Sequence, residues 1–234
     1  QVWVTRGQVM TNPTPLRHGR VYHIYNRGVN RENIFLEKRN YLHFLKLYAQ
    51  HITPIAYTYA YCLLRNHFHL MVQVKTPEEI RDGENLTGFE NLSGLGETRD
   101  QNLTGLEDLS GLAGKPPSQV FSNFFNAYAK AINKEYGRAG SLFQRPFGRI
   151  EVASDRYFMR LVTYIHHNPV KHNFVTDFRA WPYSSYRAIA ATQPTRLERK
   201  VVLDWFDGRQ GFADAHSQYQ ADNDIGWLIG NDVD

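Results

Sequence analysis

The spacing of apolar and polar residues predicts strands and helices in alternation over most of the chain. Helices are predicted at 38–50, 118–136 and 155–167, where apolar residues recur three and four positions apart. The short link at 64–66 predicts a hairpin between the strands at 55–63 and His67–Val74. The strands are predicted where β-branched and aromatic residues are dense, at Val21–Arg27, 55–63, His67–Val74 and 147–153.

Capping and breaking residues mark the ends of two predicted helices. Ser118 is expected to cap the second helix and Gly137 to end it. Ser154 is expected to cap the third, and Pro169 to stop it near residue 167. The order β-α-β-β-α-β plus a further helix predicts an α+β fold. We expect a ferredoxin-like βαββαβ sandwich with an antiparallel sheet, followed by a tyrosine-bearing helix and a C-terminal extension.

A duplicated low-complexity segment interrupts this pattern at 83–114. The tetrapeptide NLTG recurs at Asn85 and Asn102, and a related NLSG or DLSG unit follows each copy. Its Gly, Asn, Ser and acidic content predicts a mobile loop and a tolerated insertion. We therefore divide the chain into an N-terminal extension at 1–17, a main domain at 18–180 that contains the insert, and a C-terminal extension with an acidic tail at 181–234.

Charge is distributed unevenly along the chain. The insert has one Arg against six acidic residues, and 201–234 has one Arg against seven, although the whole chain has a net charge of +4. The rest of the chain is therefore strongly basic. That charge fits a polyanionic partner such as nucleic acid and fits a well-solvated surface equally well.

Cysteine content and apolar runs indicate the compartment. The single cysteine, Cys62, excludes an internal disulfide and fits a reducing environment. No apolar run approaches the roughly 20 residues of a membrane helix, and the first residues lack the apolar core of a signal peptide. We expect a soluble, cytoplasmic protein with no membrane partner.

Two histidines share one face of the predicted strand His67–Val74. Phe68 and the alternate apolar residues after it are expected to face the core, which turns His67 and His69 to the other face. Two neutral imidazoles side by side can bind one metal ion if a third protein group joins them. The pair fits ordinary polar positions on an exposed strand as well.

A tyrosine and an asparagine lie one turn apart on the last predicted helix. Tyr164 and Asn168 share one side of it, and a phenol and an amide at this spacing could serve a phosphate and its metal ion together. Alternatively, Tyr164 lies at the margin of the core and Asn168 ends the helix before a proline. His166 and His172 are close in sequence, and we expect them to be surface histidines.

Several motifs, in this order, resemble one family. They are HFH at 67–69, a segment of the form SxxFxxYAxxxNxxYGRxGxLFQ at 122–144, YIHHNPVK at 164–171 and WPYSSYR at 181–187. Together they resemble the HUH single-strand DNA transposases with one catalytic tyrosine, and most closely the REP-associated tyrosine transposases. The resemblance covers roughly residues 18–190 outside the insert.

The resemblance implies a role for each of four residues. His67, His69 and Asn168 would hold a divalent ion, Mg²⁺ or Mn²⁺, and Tyr164 would be the nucleophile. It also implies that the protein cleaves and rejoins single-stranded DNA next to REP-like hairpins through a 5′-phosphotyrosine, without a nucleotide cofactor. The C-terminal extension favours a monomer over a homodimer.

Basic and aromatic residues are candidates for contacts with DNA. Trp181, Tyr183 and Tyr186 could stack on bases, but we favour a role in docking the C-terminal segment onto the core. Phosphate contacts are predicted for Arg17, Arg20, Arg27, Arg31, Arg138, Arg145, Arg149 and Lys171.

Two other functions remain open from the sequence. A domesticated protein could bind DNA hairpins without cutting them. A metal-dependent hydrolase unrelated to DNA could use the His-x-His pair within a larger cage of His, Asp or Glu ligands, and would not need Tyr164.

Overall fold

Four antiparallel strands form one sheet in the computed structural model, which describes residues 14–86 and 112–219. In space the strands are ordered β2-β3-β1-β4, and all neighbours are antiparallel. This order confirms the predicted ferredoxin-like α+β fold. The strands are β1 (Val21–Arg27), β2 (Ala56–Leu63), β3 (His67–Val74) and β4 (Gly148–Glu151).

Helices cover both faces of the sheet. Within the described ranges, no helix combines the length and the apolar character that crossing a membrane requires. The α-helices are α1 (Lys38–His51), α2 (Pro77–Leu86), α3 (Pro117–Glu135), α4 (Asp155–Lys171), α5 (Tyr186–Ala190), α6 (Arg199–Trp205) and α7 (Arg209–Ser217).

The first face of the sheet packs against α1 and α3. Phe68 and Leu70 of β3 enter this core, as the alternation of the strand predicts, together with Phe44 of α1 and Phe124 of α3. The rings of Phe44 and Phe124 meet edge to face with their centroids 4.8 Å apart. This aromatic core fixes β3, the strand that carries the histidine pair.

The second face is also buried, so the expectation that it lies outside the core is wrong. A second apolar cluster joins Met71 of β3, Leu161 and Ile165 of α4, and Phe206 and Phe212 from the C-terminal segment. The histidines on this face therefore lie in an interior between the sheet and α4. Polar side chains there lose contact with water, which disfavours the charged form of any titratable group and shifts its pKa.

Two predicted helix ends are wrong. The residue that precedes α3 is Pro116, no side chain caps the helix, and Pro117 occupies the first turn, where its missing N–H costs nothing. Helix α4 runs through Pro169 to Lys171 instead of stopping near 167. The backbone N–H of His172 donates to Asn168 O at 3.1 Å, which closes the turn after the proline.

The sequence-based prediction overlooked α2 and the helices after residue 185. Helix α2 extends into the start of the predicted insert, and Thr76 and Glu79 form reciprocal bonds at its beginning: Glu79 N donates to Thr76 Oγ1 and Thr76 N to Glu79 Oε2. This Thr-x-x-Glu pattern is a helix-start signal that the sequence contains. Most of the insert, 1–13 and 220–234 lie outside the described residues, so the predicted mobile loop and tail are not tested.

Replacing Gly28 by Ala should destabilise the protein by about 1–3 kcal/mol, because an added Cβ would overlap the carbonyl oxygen of Glu32. The backbone N–H of Gly28 also donates to Asn66 O at 2.8 Å, so the loop that leads into β3 should loosen. Urea unfolding measures the change. Gly114→Ala is the control, since its Cβ would meet open space; equal stability of both variants would refute this packing role.

Candidate metal and nucleophile site

β3 and α4 bring four predicted site residues together. The imidazoles of His67 and His69 project from the second face of the sheet, and α4 crosses above them with Tyr164 and Asn168. All four are buried, with 3%, 1%, 3% and 0% of their surfaces exposed, in that order. The predicted helical spacing and strand alternation thus converge on one place.

Short distances join these side chains. His67 Nε2 lies 3.3 Å from Asn168 Oδ1. The ring of Tyr164 stands nearly perpendicular to that of His69, with centroids 5.6 Å apart. The two imidazoles are also perpendicular to each other, at 5.3 Å. The arrangement places a phenol next to two imidazoles and an amide.

Each imidazole of the pair is held by a second polar side chain. His67 Nδ1 bonds to Asn66 Oδ1 at 2.7 Å, and His69 Nδ1 lies 2.9 Å from Nε2 of His23 on β1. The sequence reasoning overlooked Asn66 and His23. The alternation of VYHIYNR could have placed His23 on the histidine face, because Tyr22 and Ile24 face the first core.

Two of the predicted basic residues lie beside the site. Lys171 follows Asn168 by one turn on α4, and its Nζ is 5.2 Å from the centre of the Tyr164 ring. Arg27 is paired with His67 in the β1–β3 register and shares its face of the sheet. The site therefore has positive charge near the phenol and near an imidazole.

For three other predicted basic residues, the contacts observed are with residues outside the site. Arg149 pairs with Ile24 and lies on the opposite face, with its guanidinium 4.2 Å from the centre of the Phe147 ring. Arg20 lies near Glu151 at 3.7 Å, and Arg138 forms an ion pair with Glu32. Contacts of these residues with DNA, like those of Arg17, Arg31 and Arg145, stay predictions.

Burial keeps the site histidines neutral. Loss of water, with a smaller effect from the neighbouring His172, lowers the pKa of His67 to about 3. Burial likewise lowers the pKa of His69 well below its ordinary value, with a smaller effect from His23. Neutral imidazoles retain a lone pair, which is the form that binds metal ions.

Acid should unfold the protein, because its buried histidines are neutral only in the folded state. Burial lowers the pKa of His23 to about 3 and of His216 to about 4, from an ordinary 6.5. At a pH between the folded pKa and the ordinary value of 6.5, the unfolded chain binds more protons than the folded chain. The free energy of unfolding is therefore highest above about pH 6.5 and falls as the pH drops towards 4. Each titrating histidine adds a slope of about 1.4 kcal/mol per pH unit. A urea midpoint that stays constant from pH 7 to pH 5 would contradict this.

The donor atoms fit a divalent ion. No three His, Cys, Asp or Glu side chains of the described ranges are grouped to hold a metal, so an ion here needs the Asn168 amide. With Nδ1 of His67 donating to Asn66, its Nε2 lone pair faces Asn168 Oδ1 at 3.3 Å. Neighbouring ligands of an octahedral ion at about 2.1 Å lie roughly 3 Å apart, so the spacing matches. Asn168 Nδ2, which is buried, has no hydrogen-bond partner among the described residues.

The C-terminal aromatic residues dock this segment onto the core. The indole N–H of Trp181 donates to Leu63 O at 2.9 Å, and Tyr183 stacks on Tyr41 with centroids 3.6 Å apart. Tyr186 stacks on Phe212. The favoured docking role thus agrees with the packing, since these rings contact protein.

His166 is not a surface residue, contrary to the expectation. It is fully buried, and its two ring nitrogens bond to His216 at 2.7 Å and to Ser185 at 2.8 Å. Because α7 and the start of α5 thereby bond to the helix that carries Tyr164, the C-terminal segment helps to fix that helix.

Comparison with known proteins gives two matches. A curated protein from Haemophilus influenzae, named as a REP-associated tyrosine transposase, is 35% identical over 54 residues, which are 23% of this chain and 31% of that protein. A solved structure of a REP-associated tyrosine transposase bound to a REP hairpin superposes with a TM-score of 0.51 at 15% identity, over 80% of this chain and 89% of the other. No protein-family model matches the chain.

The chain is thus similar to REP-associated tyrosine transposases in one stretch of sequence and in fold. The sequence match covers about a third of the Haemophilus protein, and the structural match establishes the shared fold. The activity, the substrate and the partners of this chain are therefore proposals that rest on its own site.

Proposed function

We propose that the protein is a metal-dependent endonuclease and strand transferase that acts on single-stranded DNA next to REP-like hairpins. The observation that carries the proposal is the clustering of Tyr164 with His67, His69 and Asn168. In this cluster His67 Nε2 and Asn168 Oδ1 lie 3.3 Å apart, and the Tyr164 ring packs against that of His69. A hydrolase that needs a larger cage of His, Asp or Glu has no support among the described residues.

The proposed reaction uses the Tyr164 hydroxyl as nucleophile. Its oxygen forms a bond to the scissile phosphorus while the bond from phosphorus to the 3′ oxygen breaks. The phenol loses its proton and the departing 3′ oxygen gains one, which leaves a 5′-phosphotyrosine and a free 3′-OH. The 3′-OH of a second strand can reverse the step, so rejoining needs no nucleotide cofactor.

The surrounding residues would bind and orient the phosphate. When bound by His67, His69 and Asn168, a Mg²⁺ or Mn²⁺ ion would polarise the phosphate oxygens. Lys171, 5.2 Å from the Tyr164 ring centre, would favour the phenolate and attract the phosphate. Arg27, which is paired with His67 across β1 and β3, would neutralise further negative charge of the phosphate. Because no carboxylate joins the donor set, the phosphate of the DNA would supply the anionic ligand.

Binding to hairpins without cleavage is the second candidate function, and one observation favours it. Only 3% of the Tyr164 surface is exposed, so a DNA strand can reach the phenol only if the groups above it move. A protein whose site stays closed would recognise DNA but leave it intact.

A denaturing gel separates the two functions. The protein is incubated with labelled single-stranded oligonucleotides that carry a hairpin and an unpaired flank, with Mn²⁺ or with EDTA. We expect a protein–DNA adduct that survives denaturation only in the presence of the ion. Retained hairpin binding in a native gel, with no adduct under any ion, would favour the binding protein and contradict the proposal.

A further inference from the structure

His23 is a buried imidazole in direct contact with His69. Its Nε2 lies 2.9 Å from His69 Nδ1, and the two rings are stacked with centroids 5.1 Å apart at 19°. The ring of Tyr25 packs against His23 at 4.9 Å. These contacts and complete burial hold the His23 ring in one orientation.

The shared hydrogen bond determines which nitrogen of His69 can bind an ion. A hydrogen bond between two ring nitrogens needs one hydrogen, so a single proton lies between His69 Nδ1 and His23 Nε2, which are 2.9 Å apart. If the proton is on His69 Nδ1, its Nε2 has a lone pair and can bind a metal. If His23 donates instead, His69 is protonated at Nε2 and cannot bind through that atom.

His23 contributes little else that would explain its burial. Its Nδ1 has no hydrogen-bond partner among the described residues. Burying a polar ring with one unsatisfied nitrogen costs free energy that an apolar residue would avoid. Residues that cost stability in this way are typical of functional sites.

We infer that His23 is a positioning residue that accepts the Nδ1 proton of His69 and so directs its Nε2 towards the metal ion. The inference rests on the proposed function, since it needs an ion at His67, His69 and Asn168. Histidine ligands generally donate their second N–H to a fixed acceptor, and loss of that acceptor weakens metal binding about 10–100-fold. Asn66 has the same relation to His67.

The test measures Mn²⁺ affinity by the loss of the free-ion EPR signal, up to millimolar Mn²⁺, together with the melting temperature. We expect His23→Phe to bind Mn²⁺ about 10–100-fold more weakly while melting within a few degrees of the wild type. His23→Gln should recover most of the affinity, because its amide oxygen can accept the same proton. His43→Phe is the control for loss of an imidazole elsewhere, and its affinity should not change.

Each outcome decides the inference. Unchanged Mn²⁺ affinity in a folded His23→Phe would overturn it. If that variant fails to fold, His23→Met, which has no strong acceptor at this position, takes its place. Unchanged affinity in a folded His23→Met overturns the inference, and a loss of about 10–100-fold that His23→Gln does not share supports it. Absence of Mn²⁺ binding by the wild type would refute the proposed metal site itself, which is a different failure.

Discussion

Replacing Tyr164 by Phe should abolish the covalent protein–DNA adduct and leave hairpin binding unchanged. The substitution removes only the hydroxyl, while the ring keeps its contacts with His69 and Lys171. Removing a nucleophile leaves no atom to form the bond to phosphorus, so cleavage should fall on the order of 10⁴-fold or more. Denaturing gels measure the adduct, and native gels measure binding.

Tyr157 provides a matched control for Tyr164. It lies two turns earlier on α4 and is also buried, with 8% of its surface exposed. Tyr157→Phe should therefore form the adduct as the wild type does. An adduct that persists in Tyr164→Phe would show that another residue is the nucleophile.

Replacing His67 by Ala should remove both metal binding and cleavage. His67 Nε2 faces Asn168 Oδ1 at 3.3 Å, so its loss breaks the pair of donor atoms. With only His69 and Asn168 left, Mn²⁺ affinity should fall more than the 10–100-fold expected for loss of a supporting residue. EPR titration and the adduct assay measure the two effects, and hairpin binding without metal should persist.

Asn168→Asp should strengthen the metal site instead. A carboxylate oxygen would replace the amide oxygen at the same position, and affinity for hard ions rises with the number of charged ligands. We expect Mn²⁺ binding about tenfold tighter than in the wild type. This gain cannot arise from unfolding, so unchanged affinity in a folded Asn168→Asp would contradict Asn168 as a ligand. His43→Ala, which removes a histidine outside the site, should leave affinity unchanged.

Strand alternation and helix spacing were sufficient to predict the α+β fold and to pair the candidate residues within each element, whereas the meeting of the two pairs was implied only by the resemblance to the transposases. Period two places His67 and His69 on one face, and a spacing of four places Tyr164 above Asn168 on α4. Both patterns are local, so they can be seen in the sequence. The antiparallel sheet follows from the order of the elements.

The burial of the site could not be predicted from the sequence. The second face is covered partly by the C-terminal segment, whose helices α5 and α6 are only five and seven residues long. Helices this short show little periodicity. The continuation of α4 past Pro169 could not be predicted either, because a proline alone predicts a stop.

Contacts between distant segments explain the residues that were overlooked or misplaced. His23 gains its role only through the β1–β3 pairing, which brings together residues 46 positions apart. Arg149 lies on the face opposite the histidines because β4 pairs with Ile24 in a particular register. A single basic residue in a short strand does not reveal that register.

Mass spectrometry of the digested adduct tests most directly whether Tyr164 attacks DNA. Trypsin should release the peptide 161–171, LVTYIHHNPVK, in which Tyr164 is the only tyrosine. After nuclease treatment, we predict a nucleotide phosphate on this peptide, attached at Tyr164. A nucleotide on any other peptide, or cleaved DNA with no nucleotide attached to the protein, would contradict Tyr164 as the nucleophile.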